Sequence, residues 1–97
     1  MSYNVLLADQ PRKYVQTLDE KSTRIVKENL RKLEDDPYPR PDSGAGDKEK
    51  VHVDGKETYR LHISRTHTAF YSIVEDEQQV RVVELLPIDE AHDRYGF

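Results

Sequence analysis

Apolar and polar side chains alternate from Tyr59 to Ser64, with Leu61 and Ile63 on one face of a strand and Arg60, His62 and Ser64 on the other. After a tight polar turn, the run His67 to Ile73 is apolar on both faces. Ala69, Tyr71 and Ile73 share one face, and Phe70 falls with Val74 on the other. That pattern predicts a central strand covered on both sides, next to a neighbour that buries one face only. The remaining segments are expected to cover this pair on one side and leave its basic residues open on the other.

Upstream, Tyr3 to Ala8 is an apolar run of strand length. Asp9 is placed to cap a helix, with Pro11 in its first turn, and Tyr14, Val15 and Leu18 line one helical face. Thr17-Leu18-Asp19-Glu20 has capping-box spacing, so a second helix is predicted to start there rather than one kinked helix to continue. Ile25, Val26, Leu30 and Leu33 form its apolar stripe, with Lys21, Arg24, Lys27, Glu28, Arg31 and Lys32 towards water. Asp36-Pro37 ends it, because the residue before proline is pushed out of the helical region. The following Pro37 to Asp47 segment reads as a loop.

Val51 to Lys56 reads as a strand entering a two-residue Asp54-Gly55 hairpin, with Tyr59 to Ser64 returning. Glu75 to Gln79 is a polar turn and Val80 to Leu86 a further strand, closed by Pro87. Asp89 is expected to cap a last helical turn through Tyr95, with Gly96 as its stop. The fold class is α+β: a two-helix hairpin packed on one face of a twisted, mainly antiparallel sheet. The expected order is β-α-α-β-β-β with a short C-terminal helical turn.

Composition narrows the picture. A chain of 97 residues has room for a single domain, residues 1–97. Hydrophobic and charged residues each make up 35%, so the core is small and the surface heavily charged. The lack of cysteine excludes disulfides and thiolate chemistry and suits a reducing compartment. Met1 to Asn4 shows no signal-peptide pattern and no run approaches the ~20 apolar residues of a membrane span, so a cytoplasmic location is expected. The net charge of −4 argues against indiscriminate nucleic-acid binding. It is unevenly spread, however. Lys48, Lys50, Lys56, Arg60 and Arg65 lie in the stretch from Lys48 to His67, whereas Glu75 to Asp93 is acidic apart from Arg81.

No phosphate loop, metal-binding helix or nucleophile elbow is present. His52, His62, His67 and His92 are not paired at ligand spacing, so neither metal nor cofactor is expected. Arg60, Arg65, His62, His67, His92, Arg94 and Tyr95 nevertheless supply the residue types that cut RNA without metal. The 2′-hydroxyl must lose its proton, the phosphate's growing charge must be neutralised, and the leaving oxygen needs an acid. Histidine titrates near neutrality, arginine holds phosphate oxygens, and tyrosine stacks on a base or relays a proton. The plain alternative is solvated surface arginines, with Tyr95 as an anchor for the tail. Residue chemistry alone defines a small α+β domain with a candidate anion-binding face.

The order of elements resembles the RelE/ParE family of toxin–antitoxin toxins over nearly the whole chain. The resemblance rests on the helical hairpin ending in Leu33-Glu34-Asp35-Asp36-Pro37-Tyr38-Pro39-Arg40 and on the strands Tyr59 to Ile63, Ala69 to Ile73 and Val80 to Leu86. The basic–tyrosine ending Arg94-Tyr95 completes it. It implies helices on one face of a twisted sheet, a concave opposite face, and a short helical antitoxin from a neighbouring gene. RelE-like members cleave mRNA in the ribosomal A site without metal, and ParE-like members inhibit gyrase. Carried over to this chain, Arg60 matches the Tyr-Arg-Leu strand and Tyr95 the terminal tyrosine. Lys48 and Lys50, with His62, fall to RNA binding. The arginine usual in the third strand is represented by Arg65 or by His67, while His92 and Arg94 stand in the string before the tyrosine. The leading expectation is an mRNA endoribonuclease acting on the ribosome. A gyrase-binding toxin and a non-toxic antitoxin-binding module are the alternatives, with a homodimer or toxin–antitoxin heterotetramer as the compatible assemblies.

Overall fold

The computed structural model describes residues 2–39, 48–53, 55–64 and 66–95, except for the side chains of Val53 and of residues 92–95. Asp54, Arg65 and Gly96, named above for a turn, a site and a helix stop, lie outside the described residues.

Leu61, Ile63, Ala69 and Tyr71 are fully buried on one side of an antiparallel pair, β3 (Lys56–Ile63) and β4 (His67–Val74), as the alternation requires. β2 (Lys48–Val53) flanks β3, and β5 (Gln79–Pro87) flanks β4. β1 (Asn4–Leu7) joins the outer edge of β5 in parallel, so the sheet order is β1-β5-β4-β3-β2 and β4 is central. Four strands follow the helices, one for each segment read above as a strand, where the expected order counted three. Both arms of the hairpin are full strands, paired from Val53–Lys56 out to Lys48–Leu61. Gly55, with φ 78°, supplies the left-handed backbone that this tight turn needs.

α1 (Asp9–Gln16) and α2 (Glu20–Asp35) form the helical hairpin, and the break between them falls where expected. The caps differ from expectation. Ala8 occupies the cap position of α1, which makes Asp9 its first helical residue, bonded to Arg12 at 2.6 Å. Asp19 caps α2 by accepting from the Ser22 N–H at 2.7 Å. An N-cap needs extended backbone, which Asp19 has (φ −70°, ψ 174°). Thr17 is helical (φ −87°, ψ −8°) and closes α1 instead.

Val15 of α1 and Val26, Leu30 and Leu33 of α2 pack on Leu61, Ile63, Ala69, Tyr71, Val80, Val82 and Leu85 to make the main core. The Tyr71 hydroxyl donates to the Pro37 carbonyl at 2.6 Å, which ties the segment after α2 to the central strand. β5 does not alternate strictly, because its register shifts from Phe70–Glu84 to Tyr71–Val82 and leaves Val83 as an extra, exposed residue. This bulge lets Val82 and Leu85 face the same side and turns Leu86 to the other.

α3 (Ile88–Tyr95) is an eight-residue helix rather than a single turn, and Asp89 is inside its first turn rather than capping it. Its start is pinned by the Ile88 N–H donating to the Thr66 carbonyl at 2.9 Å. Ala91 then packs with Val51, Phe70 and Leu86 in a second, smaller cluster on the face of the sheet away from α1 and α2. Among the described residues no helix is long and apolar enough to cross a membrane.

Candidate functional site

The face that α1 and α2 leave uncovered is built by strand parity. Across it the register runs Glu49–Arg60–Phe70–Glu84, one residue from each of β2, β3, β4 and β5. His62 and Thr68 are opposite one another in the next row, and Ser72 opposes Arg81 on the far side. Arg60 is only 8% exposed, and its guanidinium is ion-paired with the Glu49 carboxylate directly across the hairpin. Opposite charges in directly facing strand positions stabilise the pair. The Thr68 hydroxyl is buried without a hydrogen-bond partner among the described residues, a costly arrangement in a dry interior. Arg81 is exposed and held at the sheet's end by Glu77 at 3.1 Å and Gln79 at 3.2 Å.

Arg60 and His62 therefore share this face, as expected. Three other expected site residues do not. Lys48 and Lys50 oppose Leu61 and Tyr59, which belong to the helix-side layer. Lys48 donates to the Asp36 carbonyl at 2.8 Å, and Lys50 pairs with Glu57 at 2.7 Å. His67 shares the parity of Ala69 and Tyr71 and is buried beneath α1, with its Nδ1 2.7 Å from the Tyr14 hydroxyl. The two rings meet edge-on, with centroids 5.6 Å apart. Burial lowers the His67 pKa. Burial, then the charge of Glu90, raises that of Tyr14. This imidazole packs behind the sheet, on the helix side, and is not part of the Arg60 face. Arg65 lies outside the described residues, as do the side chains of His92, Arg94 and Tyr95; the backbone of these three is in α3.

Glu49, Thr68, Arg81 and Glu84 also belong to this face, and residue-type reasoning passed over them. For Glu49 a signal existed, since counting outward from the Asp54-Gly55 turn places it opposite Arg60. A cleft of about 560 Å³ opens where β1 stops, between α1, the end of β5 and α3, lined in part by Gln10, Tyr14, Leu86 and Glu90. There the Gln10 amide bonds both the N–H and the carbonyl of Leu85, at 2.7 and 2.8 Å, and so continues the sheet edge. Among the described residues no three His, Asp or Glu side chains gather as a metal site.

Two helices on one side of a five-stranded mixed sheet, with a short C-terminal helix on the other, form the RelE-like toxin fold. A chain of the archaeal RelE-RelB complex from Pyrococcus horikoshii OT3 matches with a TM-score of 0.71 and 26% identity, covering 90% of this chain and 96% of that one. The toxin-antitoxin complex RelBE2 from Mycobacterium tuberculosis follows at TM-score 0.70 and 15% identity, covering 88% of this chain and 96% of the other. A mutant of E. coli toxin RelE in the free state matches at 0.61 and 16%, over 99% and 93%. No family model matches the chain, and neither does any curated protein.

Proposed function

We propose that residues 1–97 form a single toxin domain, the toxin component of a type II toxin–antitoxin pair. It acts in the cytoplasm as a metal-independent endoribonuclease on ribosome-bound mRNA and is neutralised by a short helical antitoxin from a neighbouring gene. The observation that carries the reading is the RelE-like fold, matched at 26% identity over 90% of the chain by a protein whose own complex is named RelE-RelB. It is supported by a buried arginine fixed at the middle of the uncovered sheet face, beside a half-buried histidine and a threonine hydroxyl that has no hydrogen-bond partner among the described residues.

In this reading Arg60, with Arg65 and Arg94, holds the phosphate to be cut, and His62 lines the RNA path. His92 moves the proton and Tyr95 stacks on a base. These last two ride on α3, whose Ala91 packs onto the same face. His67, Lys48 and Lys50 are assigned structural roles. Expression is expected to arrest growth and to leave translated messages cleaved at mappable sites. Arg60→Ala, Arg94→Ala and Tyr95→Ala should each abolish cleavage in a folded protein. Arrest with intact messages, unchanged by Arg94→Ala and Tyr95→Ala, would remove the ribonuclease reading and leave gyrase inhibition to be tested by a supercoiling assay.

A second reading, an antitoxin-binding module that does not cut RNA, is favoured by one observation. The row through Arg60 also holds two carboxylates, Glu49 and Glu84. Harmless expression together with tight complex formation would select it.

A further inference from the structure

The Arg60–Glu49 pair is asymmetric. The Arg60 side chain is 9% exposed and lies mid-row between Glu49 and Phe70, where sheet packing fixes it. The Glu49 side chain is 46% exposed and comes from β2, the edge strand, so water can take it without repacking of the core. A carboxylate offers a guanidinium two oxygens much as a phosphodiester does. Glu49 thus occupies on Arg60 the position a phosphate oxygen would take, and the pair combines a fixed cation with a releasable anion.

We propose that Glu49 is a gating residue: an internal competitor that a backbone phosphate must displace from Arg60, setting the affinity of this face for RNA. The RNA substrate rests on the ribonuclease reading above; the exchange of one anion for another on Arg60 does not. Two consequences follow from charge alone. With Glu49 in place the pair is neutral, and an incoming phosphate meets like-charge repulsion as well as an occupied guanidinium. Replacing Glu49 with a neutral side chain of the same shape adds one positive charge to the face and removes the carboxylate that competes with phosphate for Arg60. Glutamine still offers Arg60 an oxygen acceptor, so Glu49→Gln keeps the cross-strand hydrogen bond and the fold, which thermal melting followed by circular dichroism will verify.

The experiment measures binding of a short single-stranded DNA, which lacks the 2′-hydroxyl and cannot be cut, to the full chain by fluorescence anisotropy. Glu49→Gln is expected to tighten binding roughly tenfold. It should also steepen the logarithmic salt dependence by about 0.7, the signature of one further phosphate contact on a single strand. Neither gain should survive in Glu49→Gln/Arg60→Ala. Glu28→Gln, an equal charge change on the exposed side of α2, should leave binding unchanged. No gain, an equal gain without Arg60, or the same gain from Glu28→Gln overturns the gate. Inorganic phosphate, read by thermal shift, separates the two readings. An Arg60-dependent stabilisation by phosphate in Glu49→Gln beyond that of wild type sustains the gate, even if no variant binds or cuts RNA and the ribonuclease reading falls. Absence of that stabilisation overturns the gate, whatever happens to RNA.

Discussion

The two faces of the β3–β4 pair are made from alternate residues of the same strands and obey different physics. Towards the helices, Leu61, Ile63, Ala69 and Tyr71 are wholly shielded from water. On the other face Arg60, His62, Thr68 and Phe70 mix charge, imidazole, hydroxyl and ring within two rows. The first face contributes stability through apolar burial. The second keeps a charge near the sheet centre because its counter-ion reaches solvent. A one-residue slip in register would exchange the two sets, so the parity that builds the core also aims Arg60.

The sharpest way to test this division is to injure each face in turn. Leu61→Ala should cost about 2–5 kcal/mol in urea unfolding, because it opens a cavity where α2 and the sheet meet. The protein that remains folded should bind oligonucleotide as wild type does. A cost well under 1 kcal/mol would mean that the helix-side layer is not what stabilises the fold. Tyr71→Phe should cost about 1–2 kcal/mol, since it strips the buried Pro37 carbonyl of its donor while keeping the ring. Arg60→Met should behave in the opposite way to Leu61→Ala. Anion binding should be lost, while stability falls by about 1 kcal/mol or less because Glu49 can relax into water. A destabilisation as large as that of Leu61→Ala would erase the division.

Much of the fold was legible because its signals are local. The β3 alternation, the two-sided apolar run of β4, the turn at Gly55 and the stripe of α2 all depend on neighbours a few residues away. The features that escaped are those where signals overlap or pairing is distant. Thr17 and Asp19 are both good caps, each with a suitable residue three positions on, and only backbone geometry separates them. The β5 bulge depends on how β4 pairs with it, which no window within β5 records. For the site, Arg60 and His62 were legible from parity. His67 falls in the same alternating set as Ala69 and Tyr71, a placement that its residue type does not reveal. Glu49 is defined by its register opposite Arg60, which the basic composition of its stretch hides.

His67 gives the finest test, because it is a titratable group buried on the helix side of the sheet. In the unfolded chain it takes up a proton near the usual imidazole value, whereas in the folded protein burial beneath α1 lowers its pKa. Between the folded and unfolded values the unfolded state binds more protons, so stability rises with pH across that window and falls as the solution is acidified through it. Urea unfolding measured from about pH 7 down to pH 5 should show this loss, and His67→Gln should lose less over the same range. Comparing the two slopes cancels the carboxylates that titrate in both proteins. Parallel curves would mean that the imidazole ionises freely beside Tyr14 and that the helix-side layer tolerates charge after all. A steeper wild-type curve would tie both faces to one rule: a charge persists in this sheet only where its partner can reach water. Glu49 gives Arg60 that outlet, and the Tyr14 hydroxyl gives His67 a hydrogen bond without one.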